Sequence, residues 1–341
     1  MKILLVAVFL GPLAVVSTLL SKSLDQDFVE YSADLVKKIN SMNTTWKAGP
    51  NFAGETAESV LKRLGTPRLS LEKVPKLPVI ERERADGDIP EEFDARVQWP
   101  NCTSIGRIYA QGNCQASWAF SAVGAMTDRY CITHGGQQFN FSVEDSVACS
   151  LSPFFSNNCF GGSTTIAWLY WLDTGLVSGG GYNSSSGCRP YAYPPCDHYE
   201  KGSHGSCSDP LPDEPFCNKT CRRGYPKSYE NDKKKGLRIY RVGHHEADIQ
   251  NEIMNHGPVS GDMDLYADFL LYRSGVYQDK GSAFIAAHSV KVLGWGVENG
   301  QKYWLCANSW NSEWGDKGFF KILRGTNECN LEFNLHAGQP Y

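Results

Sequence analysis

The order of apolar and polar positions divides the chain into a helical half followed by a β-rich half. Two apolar stretches, at 117–132 and 164–173, have the length and composition of buried helices. Alternating apolar and polar residues then predict several strands. These strands are expected at 257–263, 289–295, 302–308 and 318–323. Helices that precede the strands, instead of alternating with them, indicate an α+β fold.

Residues 24–86 differ from the rest of the chain because they contain no cysteine. Apolar spacing predicts an amphipathic helix over 27–39 and a second, short helix over 55–64. A stretch rich in Pro, Lys, Arg and Glu follows at 66–88, which is typical of a linker. Its last part, 80–88, is the expected site of cleavage because exposed polar segments are preferred by proteases.

The first twenty residues have the pattern of a targeting segment. Lys2 provides a positive start, an apolar run follows, and small residues come after it. An uncleaved membrane anchor is the alternative, since about 18 apolar residues can span a bilayer. The run is interrupted by Gly11 and Pro12, and no basic cluster follows it, which favours the signal peptide. We therefore predict a signal peptide at 1–20 and a propeptide at 21–88, before a domain at 89–341.

Composition narrows the cellular context. A net charge of −4 and a pI near 6.1 give no electrostatic surface for nucleic acid or anionic membrane. Twelve cysteines favour a disulfide framework in an oxidising compartment over a metal site, because their spacing does not repeat at zinc distances, and no cofactor is expected. Glycosylation sequons agree with a secreted or endolysosomal protein. They begin at Asn43, Asn101, Asn140, Asn183 and Asn218.

A constellation of polar residues points to peptide hydrolysis. Ser117 begins the first predicted helix, where the helix dipole would favour a nucleophilic anion. Gln111 is placed to donate to an oxyanion, His288 is the candidate base, and Asn308 is its candidate orienter, shielded by Trp310. Each residue alone is a weak signal, since a buried histidine or an Asn-Ser-Trp turn is usually structural. Their joint order, nucleophile, His and Asn, is that of a thiol peptidase with serine as nucleophile.

Longer strings carry a specific resemblance. The stretch 111–120 matches the C-G-[SA]-C-[WY] signature of papain-type enzymes except at Gln115 and Ser117. The strings at 175–180, 187–191 and 293–300 are long and uncommon, and with them the chain resembles the cathepsin B-type peptidases of the papain family. The resemblance implies a two-lobed domain, with a helical left lobe and a β-rich right lobe, which a helical propeptide precedes in the sequence.

The resemblance also implies the disulfide pairing and the cleft. The expected bridges are Cys102–Cys131, Cys114–Cys159, Cys149–Cys217, Cys188–Cys221 and Cys196–Cys207, which leaves Cys306 and Cys329 without partners. Gly161 and Gly162 match a glycine pair that lines the cleft. The implied partners are peptide or protein substrates, the chain's own propeptide and cystatin-like inhibitors, with no nucleic acid or membrane among them.

This chain departs from the family pattern where function is concentrated. Ser117 replaces the catalytic cysteine, and Gln115 replaces a glycine that leaves room for the substrate backbone. The family carries two adjacent histidines, of which one is salt-bridged and the other receives the substrate's C-terminal carboxylate. Here the pair is His198 and Tyr199, so the carboxylate receptor is missing. Asn334 replaces a glutamate of the S2 pocket, so a basic substrate side chain loses its counter-charge.

Three interpretations follow from these departures. The first is a homologue with impaired or absent catalysis that still binds peptides or inhibitors. The second is an active endopeptidase that uses Ser117, His288 and Asn308. The third is a Cys→Ser variant of an active enzyme, and the additional changes at Gln115 and Asn334 weigh against it because a knockout alters one residue.

Overall fold

The computed structural model defines where the predicted elements lie. It describes residues 30–52, 55, 60–61, 63–64, 75–81, 89–150, 158–197, 204–207 and 215–341. Within these ranges no helix is both long and apolar enough to cross a membrane. The proposed signal peptide at 1–20 lies outside the described residues.

Helices occupy mainly the first half of the chain, as the sequence pattern predicts. The described helices are α1 at 30–41, α2 (Ala95–Gln98), α3 (Ser117–Thr133), α4 (Val143–Cys149), α5 (Thr164–Asp173), α6 (Tyr229–Asp232) and α7 (Glu246–His256). Helices α3 and α5 agree with the predictions to within one residue. The second N-terminal helix is represented among the described residues only at 60–61.

Strands dominate the second half. The strands are β1 (Trp46–Ala48), β2 (Val79–Ile80), β3 (Phe93–Asp94), β4 (Cys196–Asp197), β5 (Gly205–Ser206), β6 (Gly236–Val242), β7 (Val259–Tyr266), β8 (Tyr272–Tyr277), β9 (Phe284–Glu298), β10 (Gln301–Ala307), β11 (Phe319–Leu323) and β12 (Leu335–Pro340). Of these, β9 is twice as long as its prediction. The pattern of alternating apolar and polar residues is lost there because nearly every residue of the middle part is buried, and apart from His288 and Lys291 these residues are apolar or small.

One large sheet organises the β-rich half. Its strand order is β1-β8-β11-β10-β9-β7-β12-β6-β2, with β3 paired to β9, while β4 and β5 form a separate pair. Strand β9 pairs antiparallel with both β7 and β10, in registers that place Met263 opposite His288 and Ala307 opposite Lys291. Within β9, the N–H of Ser289 donates to the hydroxyl of Ser117, so the strand contacts the start of α3.

Two buried clusters confirm the two-lobed architecture. Helices α3 and α5 bury Trp118, Trp168 and Trp171 in one of them. The strands bury Trp304, Trp310 and Trp314 in the other. The N-terminal segment shares this second core, because Ile39, Trp46 and Phe52 belong to it and β1 adds to the sheet next to β8. Burial of such aromatic side chains contributes on the order of 2 kcal/mol each, so the segment is a packed part of the fold.

The cysteines form the pairs that the resemblance implies. The five bridges are Cys102–Cys131, Cys114–Cys159, Cys149–Cys217, Cys188–Cys221 and Cys196–Cys207. Cys306 and Cys329 are buried as free thiols. Burial raises the pKa of the Cys306 thiol well above its usual range, so it remains protonated and acts as an apolar core residue.

Candidate active site

Ser117 lies at the junction of the two halves. It is the first residue of the 17-residue helix α3 and is completely buried. Its Oγ accepts a long hydrogen bond, 3.4 Å, from the backbone N–H of Ser289 on β9. The hydroxyl is therefore positioned at the positive end of a helix and against the strand that carries His288.

His288 and Asn308 are brought together by neighbouring strands. His288 is within β9, and Asn308 directly follows β10, which pairs with β9. The distance from His288 Nε2 to Asn308 Oδ1 is 2.8 Å, and the same oxygen accepts the N–H of Ser309 at 2.7 Å. Because an amide oxygen only accepts, Nε2 of His288 carries the proton and Nδ1 of a neutral ring is the acceptor.

The His288 imidazole is buried against the Trp310 ring. Trp310 is buried, and its ring centroid is 4.5 Å from that of His288. Burial lowers the pKa of His288 to about 4, and the hydrogen bond to Asn308 opposes this only in part. Among the described residues His288 Nδ1 has no hydrogen-bond partner, so no hydrogen bond joins it to Ser117. The ring is therefore neutral, and its Nδ1 accepts no hydrogen bond from the Ser117 hydroxyl.

Gln111 presents its amide to the same region. Its Oε1 accepts the hydroxyl of Ser309 at 2.7 Å, and its backbone N–H donates to the Ser309 carbonyl at 2.8 Å. Its Nε2 donates to the carbonyls of Cys114, at 2.6 Å, and of Arg63, at 3.0 Å. Arg63 belongs to the N-terminal segment, so a carbonyl of that segment occupies the donor that we proposed for an oxyanion.

The N-terminal segment is anchored over this region by buried contacts. Arg63 and Glu55 form a buried ion pair at 2.9 Å. Phe52 packs edge-on against Trp310 with ring centroids 5.9 Å apart. Asn51 donates from its buried Nδ2 to the carbonyls of Leu270 and Tyr272. The segment thus covers Trp310 and reaches the amide of Gln111.

The other predicted cleft residues are placed less uniformly. Gly161 has a φ of +104°, and a Cβ at Gly162 would lie 2.3 Å from the Trp118 ring, so both positions require glycine. Asn334 is half-buried and donates to the Asn330 carbonyl at 2.9 Å. Among the described residues no hydrogen bond links Asn334 to the region around Ser117. His198 lies outside the described residues.

A buried polar cluster behind Ser289 was not anticipated from the sequence. Asp262, on β7, accepts hydroxyl hydrogen bonds from Ser289 at 2.6 Å and Thr164 at 2.7 Å. Thr164 and Thr165 also approach the buried ring of His336, with their hydroxyls 3.3 Å and 3.1 Å from its two nitrogens. The available signal was an acidic residue inside a strand otherwise suited to burial.

Burial shifts the titration of this cluster in opposite directions. It raises the pKa of Asp262 to about 6 and is the largest cause of that shift. It lowers the pKa of His336 to about 3, with the nearby Arg241 charge as a smaller contribution.

No set of three or more His, Cys, Asp or Glu side chains suited to a metal occurs in the described part of the chain.

The depressed pKa of His336 predicts a pH-dependent stability. The unfolded chain binds a proton at this site near pH 6.5 and the folded chain only near pH 3, so its contribution is present above pH 6.5 and is lost as the pH falls. His336→Gln should therefore remove about 2–3 kcal/mol of the decrease in unfolding free energy between pH 7 and pH 4. Urea unfolding of both proteins at these pH values measures the difference. Parallel pH profiles for the two proteins would contradict it.

Comparison with known proteins identifies what the chain resembles. Residues 89–338 match the model of the papain family cysteine protease, and residues 24–69 match the peptidase family C1 propeptide. A cathepsin B-like cysteine proteinase of Schistosoma japonicum is 38% identical over 310 residues, covering 90% of each chain. Cathepsin B-like cysteine proteinase 6 of Caenorhabditis elegans is 38% identical, covering 94% of this chain and 86% of its own. The solved structure of proCathepsin B S9 from Trypanosoma congolense has a TM-score of 0.76 at 32% identity and covers 90% of this chain and 97% of its own.

Proposed function

Because the chain belongs to the papain family of cysteine peptidases and is cathepsin B-like with a propeptide, we propose that it is a homologue with impaired or absent peptide hydrolysis that still binds peptides in its cleft. The observation that carries the proposal is the hydroxyl of Ser117 at the start of α3, beside a neutral His288 whose orienter is a neutral amide. Gln111, His288 and Asn308 are the residue types that a thiol peptidase requires around its nucleophile, but the atom at the nucleophile position is oxygen.

The physical argument concerns the proton of the nucleophile. A thiol has a pKa near 8.5, which a helix terminus and an imidazolium lower enough to form a stable ion pair. A serine hydroxyl is far more basic, so His288 would have to remove its proton during attack. Serine peptidases stabilise the resulting imidazolium with a buried carboxylate, and replacing that carboxylate with asparagine costs roughly 10⁴ in rate. In this chain Asn308 occupies that position.

The enclosure of His288 strengthens the argument. Burial already depresses the pKa of His288 to about 4, so forming an imidazolium there is unfavourable even before attack begins. A thiolate would compensate that positive charge directly. The Ser117 hydroxyl, which accepts a hydrogen bond from Ser289 N–H, offers no charge in return. The site is therefore suited to an ion pair that Ser117 cannot form.

One observation favours the second candidate, an endopeptidase that uses Ser117, His288 and Asn308. The hydrogen bond from His288 Nε2–H to Asn308 Oδ1 leaves the Nδ1 lone pair available to accept a proton. This is the tautomer that a general base requires. The two candidates therefore share their geometry and differ in the rate that the geometry supports.

The proposed biological setting follows from the N-terminal regions. We place a signal peptide at 1–20 and a propeptide at 21–88, in a secreted or endolysosomal protein whose mature domain is 89–341. With impaired hydrolysis, propeptide removal requires another protease that cuts near 82–88. The proposed partners are peptides, the propeptide itself and cystatin-like inhibitors.

The test compares the wild-type protein with Ser117→Ala after another protease has removed the propeptide. We expect equal rates of peptide hydrolysis and no labelling of the wild type by a serine-directed covalent inhibitor. Calorimetry with a peptide or a cystatin-like inhibitor should still detect binding to both proteins. Hydrolysis by the wild type that Ser117→Ala abolishes, or self-processing of purified wild type at acidic pH, would establish the endopeptidase instead.

A further inference from the structure

Gln115 makes a contact with the propeptide through a side chain that the family's glycine lacks. It is half-buried, and its Nε2 donates to the carbonyl of Leu61 at 3.2 Å. Four residues earlier, Gln111 Nε2 donates to the carbonyl of Arg63 at 3.0 Å. Two amides beside Ser117 therefore bind two carbonyls that are two residues apart on one propeptide segment.

The backbone of Gln111 and of Gln115 is held by hydrogen bonds to the domain itself and not to the propeptide. The Gln115 N–H donates to the Cys159 carbonyl at 3.0 Å, next to the Cys114–Cys159 disulfide. The Gln111 N–H donates to the Ser309 carbonyl at 2.8 Å. The Gln111 amide is also held by the Ser309 hydroxyl on its Oε1, so it loses little conformational freedom when it binds the Arg63 carbonyl, whereas the Gln115 side chain is ordered on binding, which reduces the net contribution of its hydrogen bond.

The bound propeptide segment is a turn. Arg63 N–H donates to the Val60 carbonyl and Leu64 N–H to the Leu61 carbonyl, both at 3.1 Å. Val60 and Leu64 are buried in the core shared with the sheet, whereas the Leu61 side chain is 52% exposed. The domain therefore holds Leu61 through its backbone carbonyl, and carbonyls of a helical turn point in a common direction, towards the two donors.

We propose that the Gln115 side chain binds the propeptide turn directly, so that a cleaved propeptide stays bound to the domain. The proposal rests on the proposed function, because it identifies the propeptide turn as the peptide that stays bound to a domain with impaired hydrolysis. With the glycine of the family at 115, the Leu61 carbonyl would lose this donor. Retention of the propeptide therefore depends on Gln115, a residue at which this chain departs from the family pattern.

The test measures dissociation of the propeptide from the full chain. A recognition sequence for a site-specific protease is inserted after residue 86, the purified chain is cut there, and the biotinylated propeptide is immobilised. Release of the domain is followed at a urea concentration at which the wild-type complex dissociates. Gln115→Met keeps the side-chain length and removes the donor, and it should raise the dissociation rate about three- to tenfold.

Two control variants separate the possible outcomes. Asn51→Ala removes two buried hydrogen bonds between propeptide and domain, so it should accelerate release and show that the assay responds. Arg238→Met, at an exposed arginine on β6, should leave the rate unchanged. The proposal would be overturned if Gln115→Met released the domain at the wild-type rate while Asn51→Ala released it faster. It would also be overturned if the Gln115→Met domain had a lowered melting temperature that accounts for its faster release. The assay includes no hydrolysis step, so its result is independent of whether Ser117 has activity.

Discussion

Ser117→Cys is expected to hydrolyse peptides about 10² to 10⁴ times faster than the wild-type chain once the propeptide has been removed. The variant places a thiol at the N-terminus of α3 and against β9, the strand that carries His288, where a thiolate and an imidazolium would stabilise each other. The hydrogen bond between His288 and Asn308 already orients the ring for this purpose. Initial rates with a fluorogenic peptide, together with labelling by a thiol-directed inhibitor, provide the measurement.

Two further variants define what the cysteine needs. Ser117→Cys combined with His288→Ala should return to the rate of Ser117→Ala, because the thiol then lacks its partner. Ser117→Cys combined with Gln115→Gly should be faster than Ser117→Cys alone if the Gln115 side chain crowds the substrate. A single cysteine variant that remains as slow as Ser117→Ala would show that the missing thiol is not the main obstacle.

The sequence predicted those features of the candidate site that depend on neighbouring residues along the chain. Ser117 could be placed at a helix start because the apolar stretch after it is long and contains no proline. Asn308 could be placed at a strand end because the alternating pattern stops there. Their proximity to His288, however, depends on the pairing of β9 with β10, and periodicity does not determine which strands become neighbours. The resemblance to a known family supplied that step.

Contacts between distant segments could not be predicted in this way. The Asp262 cluster joins β7, β9 and the start of α5, and each of its residues is an ordinary polar position in its own segment. The contact between Gln115 and Leu61 spans 54 residues and involves a backbone carbonyl, which has no sequence signature. From the sequence, Gln115 was recognised only as a departure from a glycine of the family pattern, and its hydrogen bond to Leu61 had no signal there. Tertiary packing decides such contacts, so they become visible only in the folded chain.

The second large effect is expected at Arg129, which connects the helix of Ser117 to the β-rich half. Arg129 lies on α3, is buried, and forms an ion pair with Glu252 of α7 at 2.8 Å. Its guanidinium also donates to the carbonyls of Pro258, Gly257 and Gly338. Arg129→Met should lower the free energy of unfolding by about 3–5 kcal/mol, because it leaves the Glu252 carboxylate buried without its cation.

We expect this loss to come mainly from removing the cation beside the buried Glu252 carboxylate, which also accepts the Tyr240 hydroxyl, and this gives a direct control. Arg129→Met combined with Glu252→Leu removes both charges and should recover part of the lost stability, since an apolar pair of similar size avoids the cost of burying an ion. Arg238→Met, at an exposed arginine on β6, should change the free energy of unfolding by less than about 0.5 kcal/mol. Urea unfolding without reductant keeps the five disulfides intact in all variants. Similar losses for Arg129→Met and the double variant would show that the hydrogen bonds of Arg129 to the three carbonyls and its packing, and not the buried ion pair, hold α3 against the sheet.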